Sequence, residues 1–322
     1  MRAIIIGEPG PPSVMKVQDV KLPSCGTGQV LVRNEAIGLN FLDVYYRTGR
    51  YPASYPLVIG HEGAGVVEKV GDDVSDFVVG DRVGYVDQIG AYSEFVVRPA
   101  SRLIKIPASI TLPDAASVLL KGMTAEYLIQ RTFKVEPWHT IVVHAAAGGV
   151  GQILCQWAKQ VGATVIGTVG TAAKRTVAEA AGCDHVIVNE AQNFVAEVHK
   201  ITDGEGVPVV YDGVGSESFT RSLDCLAPRG LLAAFGAAAG PIPPLDVQGL
   251  AAKGALYVTR PTMGPYMKET ADLRSSAADL FARIVAGDIV AKASNTYKLD
   301  DVVRAHTDLE ARKLVGSTIL IP

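Results

Sequence analysis

The chain has 322 residues, a length typical of about two domains. Hydrophobic residues make up 48% of it and charged residues 20%, and the formal net charge is −3. A large core can therefore be buried, and no basic run indicates a nucleic-acid or membrane surface. The four cysteines form no C-x-x-C pair, which argues against a zinc knuckle, a redox dithiol or a disulfide framework. No stretch has the length of a membrane span or the form of a signal peptide, so we expect a soluble, cytoplasmic protein.

Residues 1–122 are rich in glycine, proline and short Val/Ile runs. Turn signals such as Gly71-Asp72-Asp73 separate these runs. The predicted strands are Val30–Arg33, Gly65–Val70, Arg82–Val86 and Tyr92–Val97. Short strands at close spacing are typical of a mainly β, barrel-like unit. A helix over Leu112–Leu128 is predicted after them, because Pro113 and Asp114 form a helix start signal.

A glycine loop near the middle of the chain has the form of a phosphate cradle. The apolar run Thr140–His144 predicts a buried strand, Ala145–Gly151 forms the loop, and Gln152–Lys159 predicts a helix. Glycines let the backbone approach a pyrophosphate, and the helix N-terminus supplies free N–H groups and a positive dipole end. This strand–loop–helix context makes the loop stronger evidence for nucleotide binding than an isolated glycine triplet.

Residues 123–262 alternate between strand and helix patterns. The further strands predicted there are Ala163–Thr168, His185–Val188, Val207–Tyr211, Leu231–Phe235 and Leu256–Val258. Their continuous apolar character favours a parallel sheet covered on both faces. We therefore predict an α/β fold, with a doubly wound Rossmann domain at 123–262 beside the barrel-like domain.

The C-terminal tail, residues 263–322, is too small to fold alone. It is predicted to contain a long helix over Tyr266–Ala286, a helix over Asp301–Arg312 and a strand over Thr318–Ile321. We expect it to pack on the N-terminal domain, so that residues 1–122 and 263–322 form one unit and a cleft separates it from the Rossmann domain.

The end of the second Rossmann strand indicates which dinucleotide binds. NAD-binding domains carry an Asp or Glu there, which holds the ribose diol. In this chain Thr168-Val169-Gly170-Thr171 contains no acid, and Lys174 and Arg175 follow it. A carboxylate would repel a 2′-phosphate and a lysine would attract it, so we predict NADP(H). Alternatively, Lys174 and Arg175 could be solvated charges on a helix, but this interpretation does not explain why the acid is missing.

Several segments carry a resemblance to a known family. They are Gly38–Asp43, Leu120–Thr124, His144–Gly151, Gly167–Thr171, Val210–Asp212 and Tyr257–Pro261. On these segments the chain resembles the zinc-free medium-chain dehydrogenase/reductases, and it is especially similar to the zeta-crystallin-like quinone oxidoreductases. The resemblance runs from the first strand to the last residues. It implies a GroES-like catalytic domain, NADPH-dependent reduction of a quinone, and often a homodimer.

Gly60-His61-Glu62 also occurs in zinc alcohol dehydrogenases, where the histidine is a metal ligand. A catalytic zinc needs three protein ligands. The zinc branch has a cysteine where this chain has Asn40, and no Cys or Asp occurs beside Lys121, where a third ligand would come. The closely spaced cysteines of a structural zinc lobe are also missing. We therefore expect no metal, and we expect His61 to pack or to form a hydrogen bond.

The resemblance also implies site residues. The proposed catalytic residues are Asn40, Asp43, Tyr46 and Tyr51. The proposed cofactor-binding residues are Asn40, Lys121, Thr124, Gly148, Gly149, Val150, Gly170, Lys174, Asn189, Val214, Phe235, Gly236, Thr259, Arg260 and Arg312. Among these, Gly170, Lys174 and Arg312 would hold the 2′-phosphate. Asn189 stands where relatives often have a tyrosine near the adenine.

Structural roles remain open for several of these residues. The tyrosines could be ordinary core or rim aromatics, Asp43 could pair with a lysine or arginine, and Arg312 could be a solvated helix-end cation. Asn40 would donate a hydrogen bond to the oxyanion that develops on the substrate. No His–carboxylate pair is evident as a general acid, so we expect water or a tyrosine to protonate the product, or release as a semiquinone. Four of the other histidines, His139, His185, His199 and His306, are expected at the surface.

Alternative functions remain open as well. An enone or alkenal reductase would use the same cofactor, and a crystallin-like protein would bind NADPH or RNA without catalysis. The net charge of −3 argues against strong RNA binding. A homodimer is expected to form through the strand at Ala255–Val258, because pairing edge to edge would cover an exposed strand.

Overall fold

The structure is a computed structural model that describes every residue from Met1 to Pro322. Its first unit contains Met1–Met123 and Tyr266–Pro322, and its second unit contains Thr124–Pro265. The strands are β1 (Arg2–Ile6), β2 (Met15–Asp19), β3 (Gln29–Leu39), β4 (Leu57–Val58), β5 (Glu62–Val70), β6 (Arg82–Val86), β7 (Phe95–Pro99), β8 (Ile104–Lys105), β9 (Thr140–Val143), β10 (Thr164–Val169), β11 (His185–Val188), β12 (Val207–Tyr211), β13 (Leu226–Ala233), β14 (Tyr257–Thr259), β15 (Ala293–Lys298) and β16 (Ser317–Ile321). The α-helices are α1 (Phe41–Arg47), α2 (Leu112–Tyr127), α3 (Gly149–Val161), α4 (Arg175–Ala180), α5 (Phe194–Ile201), α6 (Phe219–Ser222), α7 (Val247–Ala252), α8 (Met263–Tyr266), α9 (Thr270–Ala286) and α10 (Val302–Glu310).

The first unit consists mainly of antiparallel strands. Its larger sheet has the order β15-β16-β3-β5-β6-β8, with β7 also paired to β3, and its smaller sheet has the order β2-β1-β4. Within these sheets only β15 and β16 pair in parallel. This arrangement confirms the prediction of a mainly β unit before the nucleotide-binding motif.

The core of the first unit joins the two ends of the chain. Val32 and Ile37 of β3 share one buried cluster with Val302 of α10 and Leu320 of β16. Burying these apolar side chains together stabilises the tail on the N-terminal strands. The tail and the N-terminal strands therefore share one hydrophobic core.

The long helix of the tail begins later than its pattern predicts. Glu269 has an extended backbone, with φ −81° and ψ 144°, so α9 starts at Thr270 and the preceding helical residues form the short α8. Gly287 ends α9 in the left-handed conformation, with φ 82°. Even this helix is too short and too polar to cross a membrane, and the same is true of every other helix.

The second unit contains one six-stranded parallel sheet. Its order is β11-β10-β9-β12-β13-β14, and all neighbouring strands are parallel. The chain starts at β9 in the middle, adds β10 and β11 on one side, and then adds β12, β13 and β14 on the other side. This is the order of the doubly wound dinucleotide-binding fold. Helix α3 buries Ile153, Leu154 and Trp157, and it ends at Gly162 with φ 100°. The Rossmann prediction is confirmed, and β14 forms one edge of the sheet.

His306 is fully buried in α10, so its predicted place at the surface is wrong. The imidazole Nδ1 lies 3.1 Å from Arg47 Nη1, and Nε2 lies 3.1 Å from the Tyr92 hydroxyl. Because arginine can only donate, Nδ1 accepts and the neutral ring carries its proton on Nε2. Burial, together with the charge of Arg47, lowers the pKa of His306 to about 3.

This depressed pKa makes stability depend on pH. Between pH 6.5 and about 3 the unfolded chain binds a proton at His306 that the folded chain does not, so acid favours unfolding there. We expect the difference in unfolding free energy between the wild type and His306→Gln to fall by up to ~1.4 kcal/mol per pH unit below pH 6.5. Urea titrations at several pH values measure this difference. The matched control is His185→Gln, at an exposed histidine, which should leave the slope unchanged; equal slopes for the wild type and His306→Gln would contradict the prediction.

Candidate active site

Asn40 and Asp43 fix the start of helix α1. Asn40 is the N-cap residue, and its backbone N–H donates to Asp43 Oδ2 at 2.9 Å, as in a capping box. The Asp43 carboxylate is fully buried and also accepts from the Tyr92 hydroxyl at 2.9 Å. No lysine or arginine pairs with it, so the suggestion of such an ion pair is wrong. Hydrogen-bond donors, not a lysine or arginine, compensate the burial of this carboxylate.

The third donor to Asp43 is His61. Its Nδ1 lies 2.7 Å from Asp43 Oδ1, and the imidazole is almost completely buried. The statement that the chain has no His–carboxylate pair is therefore wrong, because β5 follows directly on His61 and brings it beside α1. The expected hydrogen bond of His61 is present. Its Nε2 atom is buried without a hydrogen-bond partner in the protein.

Glu62 is a second buried carboxylate, and the sequence analysis did not assign it a role. It accepts from Asn40 Nδ2 at 2.9 Å, from the backbone N–H of Leu120 at 2.7 Å and from Lys121 Nζ at 3.0 Å. A Cβ on Gly38 would lie 2.0 Å from Glu62 Oε2, so only glycine leaves room for this carboxylate. Asn40 and Lys121, which stand at two ligand positions of the zinc branch, are thus bound to Glu62. No three His, Cys, Asp or Glu side chains are grouped so that they could hold a metal ion.

The predicted substrate tyrosines lie beside the imidazole of His61. The Tyr46 ring is 4.5 Å from that ring, centroid to centroid, with an interplanar angle of 32°. Tyr51 contacts Tyr46 edge-on, at 5.6 Å and 82°. Burial, then the nearby charges of Asp87 and Tyr51, raise the pKa of Tyr46, so its phenol is a weaker acid than in water. Asp43 and Tyr46 therefore contact the same histidine, and Tyr51 contacts Tyr46.

The glycine loop of the second unit is shaped for close backbone approach. Gly148 caps α3, and its own N–H donates to Ala145 O at 2.8 Å. A Cβ on Gly151 would lie 2.3 Å from that same oxygen, and one on Gly167 would lie 2.4 Å from Cys183 Sγ. The first N–H groups of α3 lack partners within the helix, as at any helix start. These features fit the pyrophosphate of a dinucleotide.

Most of the predicted cofactor residues follow the carboxyl ends of the parallel strands. They are Gly148, Gly149 and Val150 after β9, Gly170 and Lys174 after β10, Asn189 after β11, Val214 after β12, Phe235 and Gly236 after β13, and Thr259 with Arg260 at β14. In open α/β sheets this edge is where ligands bind. Thr124 is buried in α2, whereas Arg312 follows α10 in the first unit and so belongs to a different unit from Lys174.

Two acids near this edge were not recognised in the sequence. Asp212, at the end of β12, accepts from the backbone N–H groups of Val214 and Gly215 at 2.8 and 3.1 Å, which fixes the loop that carries Val214. Glu190 enters from β11, and its carboxylate accepts from the Ala172 N–H at 2.9 Å. The end of β10 therefore lacks an acid in sequence but has one nearby in space. Asp212 could have been found from the sequence, because it ends the Val210-Tyr211-Asp212 segment that carries the family resemblance.

A GroES-like unit and a Rossmann unit in one chain define a medium-chain dehydrogenase/reductase. Residues 26–108 match the family described as alcohol dehydrogenase GroES-like domain, and residues 149–282 match the family described as zinc-binding dehydrogenase. The chain is 46% identical to a quinone oxidoreductase of Pseudomonas aeruginosa, over 97% of both chains. It is 43% identical to a 2-haloacrylate reductase of Burkholderia, over 99% of this chain and 98% of the relative.

Solved structures of related proteins are similar to this chain over its full length. A mycobacterial protein complexed with NADPH has a TM-score of 0.97 and 46% identity, and an Escherichia coli quinone oxidoreductase complexed with NADPH has a TM-score of 0.98 and 41% identity. Both comparisons cover 100% of each chain. The chain therefore belongs to the quinone oxidoreductases of the medium-chain dehydrogenase/reductase family, and the resemblance drawn from the sequence is confirmed.

The buried Glu62–Lys121 pair yields a stability prediction. In Glu62→Gln the ammonium of Lys121 stays buried but loses its counter-charge. Breaking a buried pair in this way costs about 3 kcal/mol, so we expect the free energy of unfolding to fall by that amount in urea titrations.

Glu68→Gln is the matched control, because Glu68 lies on the same strand and pairs with Arg33 at 3.5 Å while about half exposed. Its loss should stay below about 0.5 kcal/mol. Similar losses for the two variants would contradict the assignment of Lys121 to Glu62.

Proposed function

We propose that this protein transfers hydride from NADPH to a quinone without a metal ion. The observation that carries the proposal is the full-length similarity to quinone oxidoreductases, combined with a Rossmann loop shaped for a pyrophosphate. When bound, NADPH supplies the hydride, and the protein supplies binding, orientation and a dry site. Gly148, Gly149 and Val150 would bind the pyrophosphate, with Thr124 and Lys121 near the nicotinamide ribose.

The other cofactor residues divide by position on the strand ends. Val214, Phe235 and Gly236 would border the adenosine and nicotinamide, with Thr259 and Arg260 close by. Asn189 would lie near the adenine. Gly170, Lys174 and Arg312 would hold the 2′-phosphate. Support for these roles comes from the common edge of the sheet on which most of them lie.

A flat, apolar quinone suits the aromatic part of the first unit. Tyr46 and Tyr51 would line its binding site, and Asn40 would donate to a developing oxyanion. One N–H of the Asn40 amide is held by Glu62, which fixes the direction of the second N–H. The amide therefore needs no reorientation when charge develops on the substrate.

Turnover with a substrate panel tests this function. We expect kcat/KM with NADPH to be higher for benzoquinones and naphthoquinones than for enones and 2-haloacrylates. The haloacrylates belong in the panel because a 43% identical relative is named for their reduction. A preference for activated C=C bonds would show that the protein is a double-bond reductase, and NADPH binding without any turnover would favour a non-enzymatic role.

Lys174 should determine cofactor choice. A charge-assisted contact with the 2′-phosphate predicts that Lys174→Ala raises the Kd for NADPH about tenfold and leaves that for NADH unchanged. Fluorescence titration measures both constants.

The matched control is Arg175→Ala. Arg175 is the neighbouring cation, and it lies 3.7 Å from Glu179 on the same helix. Its removal should change both constants less than twofold (~0.4 kcal/mol). If Arg175→Ala weakens NADPH binding as much as Lys174→Ala, the 2′-phosphate assignment is wrong.

The quaternary and domain organisation is also a proposal. Residues 1–122 with 263–322 would form the catalytic domain and 123–262 the cofactor domain. Two copies would pair through β14, where Tyr257 is 61% exposed on an edge of the sheet. The four free cysteines suit a reducing compartment such as the cytoplasm. Light scattering should give twice the chain mass of 33.9 kDa, and a monomer would refute the dimer.

A further inference from the structure

Quinone reduction consumes a proton as well as a hydride. A quinone that accepts a hydride becomes the monoanion of a hydroquinone, and one proton must reach its oxyanion to complete the product. The amide of Asn40 is not an acid, and the ammonium of Lys121 balances the charge of the buried Glu62 carboxylate. The source of the proton must therefore lie elsewhere near the predicted substrate residues.

The His61 imidazole has the geometry of a proton donor. Its Nδ1 bonds to Asp43 at 2.7 Å, which fixes the ring orientation and places a proton on Nδ1. The side chain is 4% exposed, and its Nε2 atom has no partner within the protein. In general acid–base histidines one ring nitrogen is held by a carboxylate and the other is left without a protein partner, as in His61.

The groups behind Asp43 form a chain of hydrogen bonds that ends on this carboxylate. Arg47 donates to His306, His306 donates from Nε2 to the Tyr92 hydroxyl, and Tyr92 donates to Asp43. Every proton in this chain of hydrogen bonds is directed toward Asp43, so the carboxylate has no reason to take a proton from His61. Because Nδ1 is held by Asp43, the proton that the imidazole can pass to a ligand is the one on Nε2.

The surroundings of His61 match a flat aromatic acceptor. Tyr46 stacks on the imidazole, Asp87 contributes a nearby negative charge, and Glu62 adjoins it in sequence with its charge balanced by Lys121. The titratable groups that face His61 are thus Asp43, Tyr46 and Asp87.

We propose that His61 is the general acid of the reaction and donates its Nε2 proton to the oxyanion of the reduced acceptor. This inference rests on the proposed function. Hydride transfer supplies both electrons, the O–H bond forms as the Nε2–H bond breaks, and the neutral imidazole then recovers a proton from water. The raised pKa of Tyr46 makes its phenol the weaker candidate for this step.

The test compares His61→Asn with His185→Asn, a substitution at an exposed histidine of the second unit. For His61→Asn we expect kcat with a quinone to fall about 100-fold, within the range for loss of a general acid. The alkaline decrease of the wild-type pH–rate profile should disappear, and the Kd for NADPH should stay within twofold. His185→Asn should match the wild type in all three measurements. Wild-type kcat and an unchanged pH profile in His61→Asn would overturn the proposal.

Two further measurements keep the result decisive. If His61→Asn is unfolded by circular dichroism, His61→Gln is measured in the same way. Tyr46→Phe should keep the pH profile, and its disappearance there instead would assign the proton to Tyr46. In 15N-histidine NMR spectra of the NADP⁺ complex, a hydroquinone analogue should shift the Nε2 signal of His61, and no shift would count against contact.

Different experimental results would refute the proposed function and the role of His61. If the wild type reduces enones and not quinones, the proposed function is wrong. The proton is still required in enone reduction, so the effect of His61→Asn on that reaction then decides the inference. If quinone turnover is high in both the wild type and His61→Asn, the function holds and the role of His61 is wrong.

Discussion

The buried carboxylate of Glu62 is the interaction on which the arrangement of the first unit depends. It joins the start of β5, the N-cap of α1 and the middle of α2 through Asn40, Leu120 and Lys121. A charge removed from water must be compensated by a partner and by hydrogen bonds, and here it has both. The amide and the ammonium are consequently held in place by the fold itself. Donors that need no reorientation are those that stabilise developing charge most effectively.

The second buried carboxylate, Asp43, is compensated in a different way. No cation touches it, and its donors are a backbone N–H, the Tyr92 hydroxyl and His61. The permanent positive charge of Arg47 lies at the far end of this chain of hydrogen bonds, where it also bonds to Glu310 at 2.7 Å. Glu62 therefore contacts an ammonium and Asp43 contacts an imidazole. Asn40 and Lys121, beside Glu62, are placed to stabilise charge, whereas His61, beside Asp43, is placed to supply the proton.

The sequence predicted those features that local patterns encode. The strand, glycine loop and helix that contain Gly148 are contiguous, so they could be recognised together, and the alternation of strands and helices predicted a doubly wound parallel sheet. Asp43 and His61 are 18 residues apart on different elements, and nothing in their spacing indicates a hydrogen bond. His306 was misplaced because a single polar residue on an amphipathic helix is usually solvated. Glu190 was missed for the same reason as His61: it reaches the end of β10 from a neighbouring strand.

Asn40 and Lys121 also bear on the choice of substrate. A divalent ion with an open coordination position polarises a carbonyl strongly. The ammonium of Lys121 is already paired with Glu62 and supplies less polarisation to a substrate oxygen. Such a site suits an acceptor that takes up hydride readily, which a quinone does because its reduced ring is aromatic. For that acceptor the remaining requirement is a proton delivered to an oxyanion. Asn40 and Lys121, which are held by Glu62, and His61, which is held by Asp43, would therefore serve the same reaction.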